Sequence, residues 1–125
     1  MPRFFAVIAC FSGFLWVALR AVGAHAWQFD AQNLQRFEQA TSMLIAHALA
    51  LLILAHAQTQ RFLPMRLYAG FCFVLGLFAF CASLLWLSRG GPAFLSKIAP
   101  IGGMSFMFGW LLLAVASLKK TGAGR

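Results

Sequence analysis

The chain has 125 residues, of which 62% are hydrophobic and only 12 are charged, namely 10 Lys or Arg and 2 Asp or Glu. Soluble globular domains are about 25% charged, so this composition excludes an ordinary soluble fold. The formal net charge is +8. The basic residues stand singly at the ends of apolar stretches, which argues against nucleic acid as a partner and favours the lipid bilayer.

Four uncharged stretches divide the sequence, and each approaches the ~20 residues that cross a bilayer core as a helix. The predicted spans are residues 4–22, 39–60, 67–88 and 100–118. The remaining residues are too few for a separate soluble domain, which usually needs at least about 50. The predicted fold class is therefore all-α, with residues 1–125 forming one transmembrane domain: an integral membrane four-helix bundle with up-down topology.

The first span also carries features of a secretory signal, because Arg3 precedes an apolar run and Ala24-His25-Ala26 has the small-x-small cleavage pattern. The apolar run is longer than the roughly 7 to 15 residues of a signal, and Arg20 intervenes before the cleavage pattern. We expect an uncleaved span that ends at Gly23.

The segment between the first two spans has helical periodicity despite its polar residues. Asp30 is a predicted N-cap, and Leu34, Phe37 and Thr41 recur at helical spacing. We predict a short amphipathic interfacial helix between spans 1 and 2. One long helix that enters lipid only after Glu38 is the alternative.

Proline and glycine mark the other connections. Pro64 interrupts residues 61–66 and predicts that the second and third spans are antiparallel neighbours. The run Arg89-Gly90-Gly91-Pro92 predicts the end of the third span. Pro100 is expected to open the fourth span, since its missing amide donor is harmless in a first helical turn.

Small residues predict which helix faces pack closely. In a membrane, stripes of small side chains permit close backbone approach. The predicted helix-packing residues of the third and fourth spans are Gly76, Ser83, Gly102, Ser105 and Gly109. We expect at least one of these stripes to face a partner, and we expect Trp110, near the middle of its span, to be buried between helices.

His47 is the most informative single residue, because it lies ~4 Å from the bilayer centre at 1.5 Å per residue. One interpretation is a neutral imidazole hydrogen-bonded to a neighbouring helix. Haem ligation within one chain is not expected, because the three histidines lie at different depths in the bilayer: His25 at one interface, His47 near the centre and His56 nearer the opposite surface. A symmetric dimer pairing His47 with His47 stays open. No metal site or cofactor is predicted.

The sequence contains no CxxC, HExxH or phosphate-loop motif, and the serines in the spans have no evident base. We therefore predict no catalytic residues and no enzyme activity. The leading hypothesis is a non-catalytic accessory or assembly subunit that packs against a larger membrane complex or against itself. The alternatives are a binding module for a hydrophobic small molecule, a quinone or lipid, and a small transporter.

The distribution of basic residues predicts orientation. One side of the alternating topology carries six of them and the other side four: Arg3, Arg61, Arg66, Lys119, Lys120 and Arg125 against Arg20, Arg36, Arg89 and Lys97. Under the positive-inside rule this asymmetry places both termini in the cytoplasm.

Three ordered sequence signatures resemble a known family. They are Gly23-Ala24-His25-Ala26; Phe37-Glu38 with Ala40 and His47-Ala48-Leu49-Ala50-Leu51; and Pro100-Ile101-Gly102-Gly103 with Phe106 and Gly109-Trp110-Leu111-Leu112. The chain resembles a family of small, uncharacterised four-span bacterial inner-membrane proteins, a domain of unknown function with a mitochondrial transmembrane relative.

The resemblance implies an intact first span, four helices and a location in the bacterial inner membrane, and it supplies no activity. It makes His25, Glu38 and His47 candidates for a ligand or interaction site. The family commonly has tyrosines at the positions of Met43 and Ala46, so the resemblance implies a thinner hydrogen-bond network around His47 in this chain.

Overall fold

The computed structural model describes residues 2–57 and 63–118. These residues form α1 (Pro2–His25), α2 (Ala31–His56), α3 (Leu63–Gly76), a π-helical segment (Leu77–Ala82), α4 (Ser83–Ser88) and α5 (Leu95–Leu118). Four stretches are long and apolar enough to cross a membrane: Arg3–His25, Ala31–His56, Pro64–Ser88 and Leu95–Leu118. The third span thus comprises α3, the π-helical segment and α4. The prediction of an all-α membrane four-helix bundle is confirmed.

The prediction that Gly23 ends the first helix is wrong, because α1 continues to His25. The Ala26 amide donates to the Val22 carbonyl at 2.8 Å, so the hydrogen-bonded turn runs past the glycine. Gly23 serves packing instead. A Cβ at this position would lie 2.6 Å from Cζ of Phe37 in α2, so only glycine leaves room for that ring.

The separate interfacial helix predicted between the first two spans is not formed. Residues 31–38 are the first turns of one continuous α2, as in the alternative of a single long helix. Asp30 is its N-cap, as predicted, and accepts from the Asn33 amide at 2.8 Å. Burial begins at Phe37 and continues along the same helix to Leu51, so no change of direction intervenes. Residues 58–60 of the predicted span lie outside the described residues.

The third span ends where the sequence predicted. Gly90 has φ +89°, and its amide donates to the Leu87 carbonyl at 3.1 Å. The Gly91 amide donates to the Trp86 carbonyl at 2.9 Å. This pair of bonds is a Schellman motif. The motif needs one residue in the left-handed helical conformation, which glycine adopts at low cost. At its other end the span begins with helix at Leu63, within the predicted connection of residues 61–66, and Pro64 lies in the first turn of α3.

The prediction that Pro100 opens the fourth helix is wrong by five residues, since α5 begins at Leu95. The connection after Pro92 supplies the missing acceptors. The amides of Leu95 and Lys97 donate to the Pro92 and Phe94 carbonyls at 3.2 and 3.0 Å, a tight first turn. Pro100 therefore lies in the second turn of α5.

The bundle consists of two helix pairs. α1 packs along α2, and the third span packs along α5; α2 then joins the pairs by contacting the π-helical segment and α4. The larger buried cluster lies at the centre of the bundle and comprises Phe5, Ala9, Leu44, Leu51, Phe73, Leu77, Cys81 and Phe106. A smaller one lies where α4 meets α2 and the start of α5, and comprises Ala40, Leu84, Leu87, Leu95 and Ala99.

The small-residue stripes of the third and fourth spans face each other inside the bundle. A Cβ on Gly76 would collide with the Phe106 ring, and one on Gly109 would lie 2.6 Å from the Phe73 ring. Ser105 Oγ donates to the Cys72 carbonyl at 2.7 Å, and Ser83 is buried in α4. The expectation that these stripes face a partner is thus wrong, because α3 and α5 use them for each other.

Gly102 makes the closest approach. A Cβ here would collide with the Phe80 amide nitrogen and lie 2.8 Å from the Ala79 carbonyl carbon, both in the π-helical segment. The α5 backbone therefore packs directly on the backbone of that segment, which only glycine allows.

Candidate functional site

His47 lies in the interior of the bundle, with 4% of its surface exposed. Its Nδ1 lies 2.9 Å from the Met43 carbonyl of the preceding helical turn, and its Nε2 lies 3.0 Å from Trp110 Nε1 of α5. A carbonyl can only accept and an indole N–H can only donate. The two bonds together require the neutral imidazole that carries its proton on Nδ1.

Three aromatic rings surround this imidazole. Phe106 stacks on it with a centroid distance of 3.7 Å and an interplanar angle of 15°. Phe73 contacts it edge-on at 5.3 Å, and Trp110 lies at 5.9 Å. The space between α2 and α5 is thus filled by aromatic rings around one polar group.

Both ring nitrogens of His47 are engaged in hydrogen bonds in this structure. A proton acceptor or haem ligand would need Nε2, and Nε2 accepts from Trp110. The arrangement therefore supports the hydrogen-bonded imidazole among the alternatives that the sequence left open. A His47 pair across a symmetric dimer would require both rings to leave their aromatic surroundings and both Trp110 bonds to break.

Trp110 is not buried between helices as predicted. Its indole N–H reaches inward to His47, yet 49% of the residue remains exposed on the surface of the bundle. The indole is therefore shared between the interior and the lipid-facing surface rather than buried between helices. Such a residue satisfies a deep polar group while presenting an apolar face to hydrocarbon.

Glu38 belongs to a different cluster. It pairs with Arg20 of α1 at 3.2 Å, with both side chains about half exposed at 54% and 44%. Arg20 also reaches the Thr41 hydroxyl at 3.5 Å, and that hydroxyl donates to the Phe37 carbonyl at 2.9 Å. This small network ties the last turns of α1 to the first turns of α2.

The third candidate, His25, is exposed at the end of α1. Glu38 and His47 are nine residues apart on α2, which separates them by about 13 Å along the axis and about half a turn around it. The structure therefore does not bring His25, Glu38 and His47 into one site. It brings together His47, Trp110, Phe106 and Phe73.

The sequence patterns do not predict the partners of His47. The usable signal was depth, because His47 and Trp110 both lie near the middle of their spans, and an indole N–H in mid-span needs an acceptor. The stacking of Phe106 carried no comparable signal, since phenylalanine is common throughout this chain, with 14 occurrences.

Comparison with known proteins identifies the family. Residues 19–103 match a family described as "Protein of unknown function (DUF423)". Those residues include His25, Glu38 and His47, whereas Trp110 lies beyond the match.

Full-length relatives agree with this match. The chain is 31% identical over 119 residues to the UPF0382 inner membrane protein YgdD of Escherichia coli strain K12, covering 94% of this chain and 91% of the relative. It is 29% identical over 122 residues to the UPF0382 membrane protein SERP0230 of Staphylococcus epidermidis, covering 96% and 99%. No solved structure matches the chain. The sequence, the four apolar helices and these relatives together show that the chain belongs to the DUF423 family of membrane proteins of unknown function.

Proposed function

We propose that this protein is a non-catalytic membrane subunit that acts through lateral contacts within the bilayer, with a larger complex or with a second copy. The observation that carries the proposal is the hydrogen bonding of His47, the deepest polar group of the bundle. Both ring nitrogens of His47 are hydrogen-bonded within the chain, to the Met43 carbonyl and the Trp110 indole, so this imidazole is not free to bind a substrate.

The arrangement of polar groups also weighs against a carrier. A proton or ion path needs several ionisable groups at successive depths. Arg20 and Glu38 pair with each other near one end of the bundle, and the buried hydroxyls of Thr41, Ser88 and Ser105 bond to backbone carbonyls. The Arg20–Glu38 pair and the Ser105 bond to Cys72 join neighbouring helices, whereas the Thr41 and Ser88 bonds lie within one helix. We therefore look to the outer surface for recognition.

The outer face of α1 is the surface best suited to a partner. Only 17% of the most apolar stretch of α1 is buried inside the bundle, against 44% for the corresponding stretch of the third span. Four large side chains form a ridge along this face, with exposed fractions between 58% and 67%: Val7, Phe11, Phe14 and Val17. In lipid, a second helix can pack its groove against a ridge of this kind.

The proposal is tested by purification in mild detergent with mass spectrometry of both proteins and extracted lipids. We expect a stoichiometric protein partner or a dimer that is lost when Phe11 and Phe14 are both changed to Ala. The matched control changes Met107 and Phe108, exposed side chains of α5, to Ala. A monomer with no partner, or equal loss in the control, contradicts the proposal.

A second candidate is binding of a hydrophobic small molecule such as a lipid or quinone. An apolar groove of about 260 Å³ opens between α1, α2 and the π-helical segment. Its walls include Leu15, Leu44, Leu77 and Cys81. The lipid extraction in the same experiment reads this candidate directly, because a stoichiometric small molecule without a protein partner favours it.

We also infer that both termini lie in the cytoplasm of a bacterial inner membrane. The positive-inside asymmetry of six against four basic residues supports this orientation. Arg20 and Arg89 lie at one end of the bundle, which agrees with their assignment to the same side: Arg20 pairs with Glu38 of α2, and Arg89 lies 4.5 Å over the ring of Trp27 in the connection before α2.

A further inference from the structure

A second groove lies at the opposite end of the bundle from the Arg20–Glu38 pair. It has a volume of about 320 Å³ and is bounded by the last turns of α2, the first turns of α3 and the last turns of α5. Its apolar walls are formed by Ala50, Ile53, Leu54, Leu113 and Trp110, and Arg66 of α3 lines it as well. Among the described residues, the groove is thus lined mostly by apolar side chains and by one cation, Arg66.

Arg66 has no acidic side chain to balance its charge. The chain contains only two acidic residues, Asp30 and Glu38. Asp30 caps the opposite end of α2, roughly 40 Å along that helix from Ala57 beside Arg66. Glu38 pairs with Arg20. No acidic side chain of the sequence is therefore free to pair with Arg66, and an anion from outside the chain can supply the balancing charge.

The Arg66 side chain is also partly buried. Arg66 is only partly exposed, and its Nε is fully buried. Among the described residues, this Nε is the one buried side-chain nitrogen or oxygen without a hydrogen-bond partner. Because the guanidinium has five N–H donors, the terminal nitrogens supply four more for an acceptor at the groove. Pairing with a phosphate or carboxylate is the usual way to stabilise such a cation near a membrane.

We propose that this groove binds one anionic phospholipid, with an acyl chain along the apolar walls and the headgroup phosphate on Arg66. Charge complementarity identifies the headgroup, and the apolar walls that open toward the bilayer identify the chain. The groove shares Trp110 with the His47 cluster but is not lined by His25, Glu38 or His47, and the proposal does not rest on the proposed function.

The test is native mass spectrometry of the full chain in mild detergent. The probes are phosphatidylglycerol and phosphatidylethanolamine with identical acyl chains, and inorganic phosphate. We expect one phosphatidylglycerol per chain, bound about fivefold more tightly than phosphatidylethanolamine, since one basic residue contributes about that factor toward anionic lipid. Inorganic phosphate should not displace it, because phosphate lacks the acyl chain.

Variants separate the headgroup from the chain. Arg66→Gln should remove the preference for phosphatidylglycerol, whereas Arg66→Lys should keep most of it. Lys97→Gln is the matched control, because it removes one positive charge from an exposed residue at the other end of α5. It should leave the lipid preference unchanged. Ala50→Phe should weaken both lipids by narrowing the groove, and Ala46→Phe, one turn earlier on an exposed position of α2, should weaken neither.

Equal binding of the two lipids by the unaltered protein would overturn the proposal, whatever the variants do. Displacement by inorganic phosphate would show a free-anion site instead. A protein cross-linked at Arg66, with no retained lipid, would show that an acidic partner occupies the groove and would equally overturn it.

Discussion

His47 and Trp110 show how a single polar group can be accommodated at the centre of this bundle. The imidazole has a donor and an acceptor, and the chain provides a carbonyl for one and an indole N–H for the other. An unpaired polar group in hydrocarbon costs several kcal/mol by the usual estimate, so each partner depends on the other. Phe106 then excludes other partners by covering one face of the ring.

This mutual dependence predicts a measurable coupling. His47→Ala and Trp110→Phe should each destabilise the protein, and the double variant should lose about 0.6 to 1.7 kcal/mol less than the sum of the two, the range for hydrogen bonds between membrane helices. The free energies are measured by unfolding in mixed detergent micelles.

Trp86→Phe is the matched control for that cycle, because Trp86 is 59% exposed and lies in α4, away from His47. It should show no coupling to His47→Ala within the usual scatter of about 0.5 kcal/mol. A Trp110 coupling as small as the Trp86 coupling would mean that the hydrogen bond contributes nothing to stability.

At the level of elements, the contact between α5 and the third span is made by backbone as much as by side chains. The π-helical segment Leu77–Ala82 widens the third span where Gly102 of α5 approaches it. Wide turns of this kind expose more backbone at the helix surface than an α-helical turn does. Gly102 is thereby matched to the π-helical segment, and the Ser105 bond to Cys72 fixes the register one turn further on.

Gly102→Ala therefore tests the close approach with a single methyl group. We expect a loss of about 1 to 3 kcal/mol in the free energy of unfolding, the usual cost of forcing extra atoms into a packed interior. The clash is with backbone atoms of Ala79 and Phe80, which cannot rotate away.

The neighbouring Gly103 is the control, because a Cβ there would lie 3.7 Å from the Phe80 ring, an ordinary contact. Gly103→Ala should be neutral or stabilising by up to about 1 kcal/mol, since alanine favours helix over glycine. Equal effects of the two substitutions would contradict the asymmetric packing.

Sequence patterns predicted the elements well and their ends less well. Apolar length alone predicts four helices, and Asp30 and Gly90 mark their caps through side-chain and backbone chemistry that depends on near neighbours. The predictions at Gly23 and Pro100 were wrong because contacts outside the local sequence decide the roles of these residues. The Phe37 ring packs against Gly23, and the connection after Pro92 starts α5 before Pro100. The pairing of His47 with Trp110 spans 63 residues, and no local pattern encodes it.

For the whole molecule, charge is arranged by end. The two acidic residues and the Arg20 pair lie toward one end, whereas Arg66 lies toward the other without an acidic partner. The middle of the bundle contains a neutral, hydrogen-bonded imidazole among aromatic rings. Recognition is accordingly expected at the outer surface and the ends.

Orientation follows from the same distribution. A reporter fused after Arg125 should be active in its cytoplasmic form and silent in its periplasmic form, because the Lys and Arg excess favours a cytoplasmic terminus. A fusion in the connection near Trp27 should give the reverse pattern and serves as the control. Periplasmic activity after Arg125 would contradict the predicted topology.

We infer that both ring nitrogens of His47 are hydrogen-bonded within the chain, to Met43 and Trp110. Nitrogen NMR of the ¹⁵N-labelled protein in lipid bilayers can observe both bonds. We expect one neutral imidazole protonated on Nδ1, with a scalar coupling between His47 Nε2 and the Trp110 indole N–H that is lost in Trp110→Phe. An imidazolium signal, a proton on Nε2, or no coupling to Trp110 would contradict it.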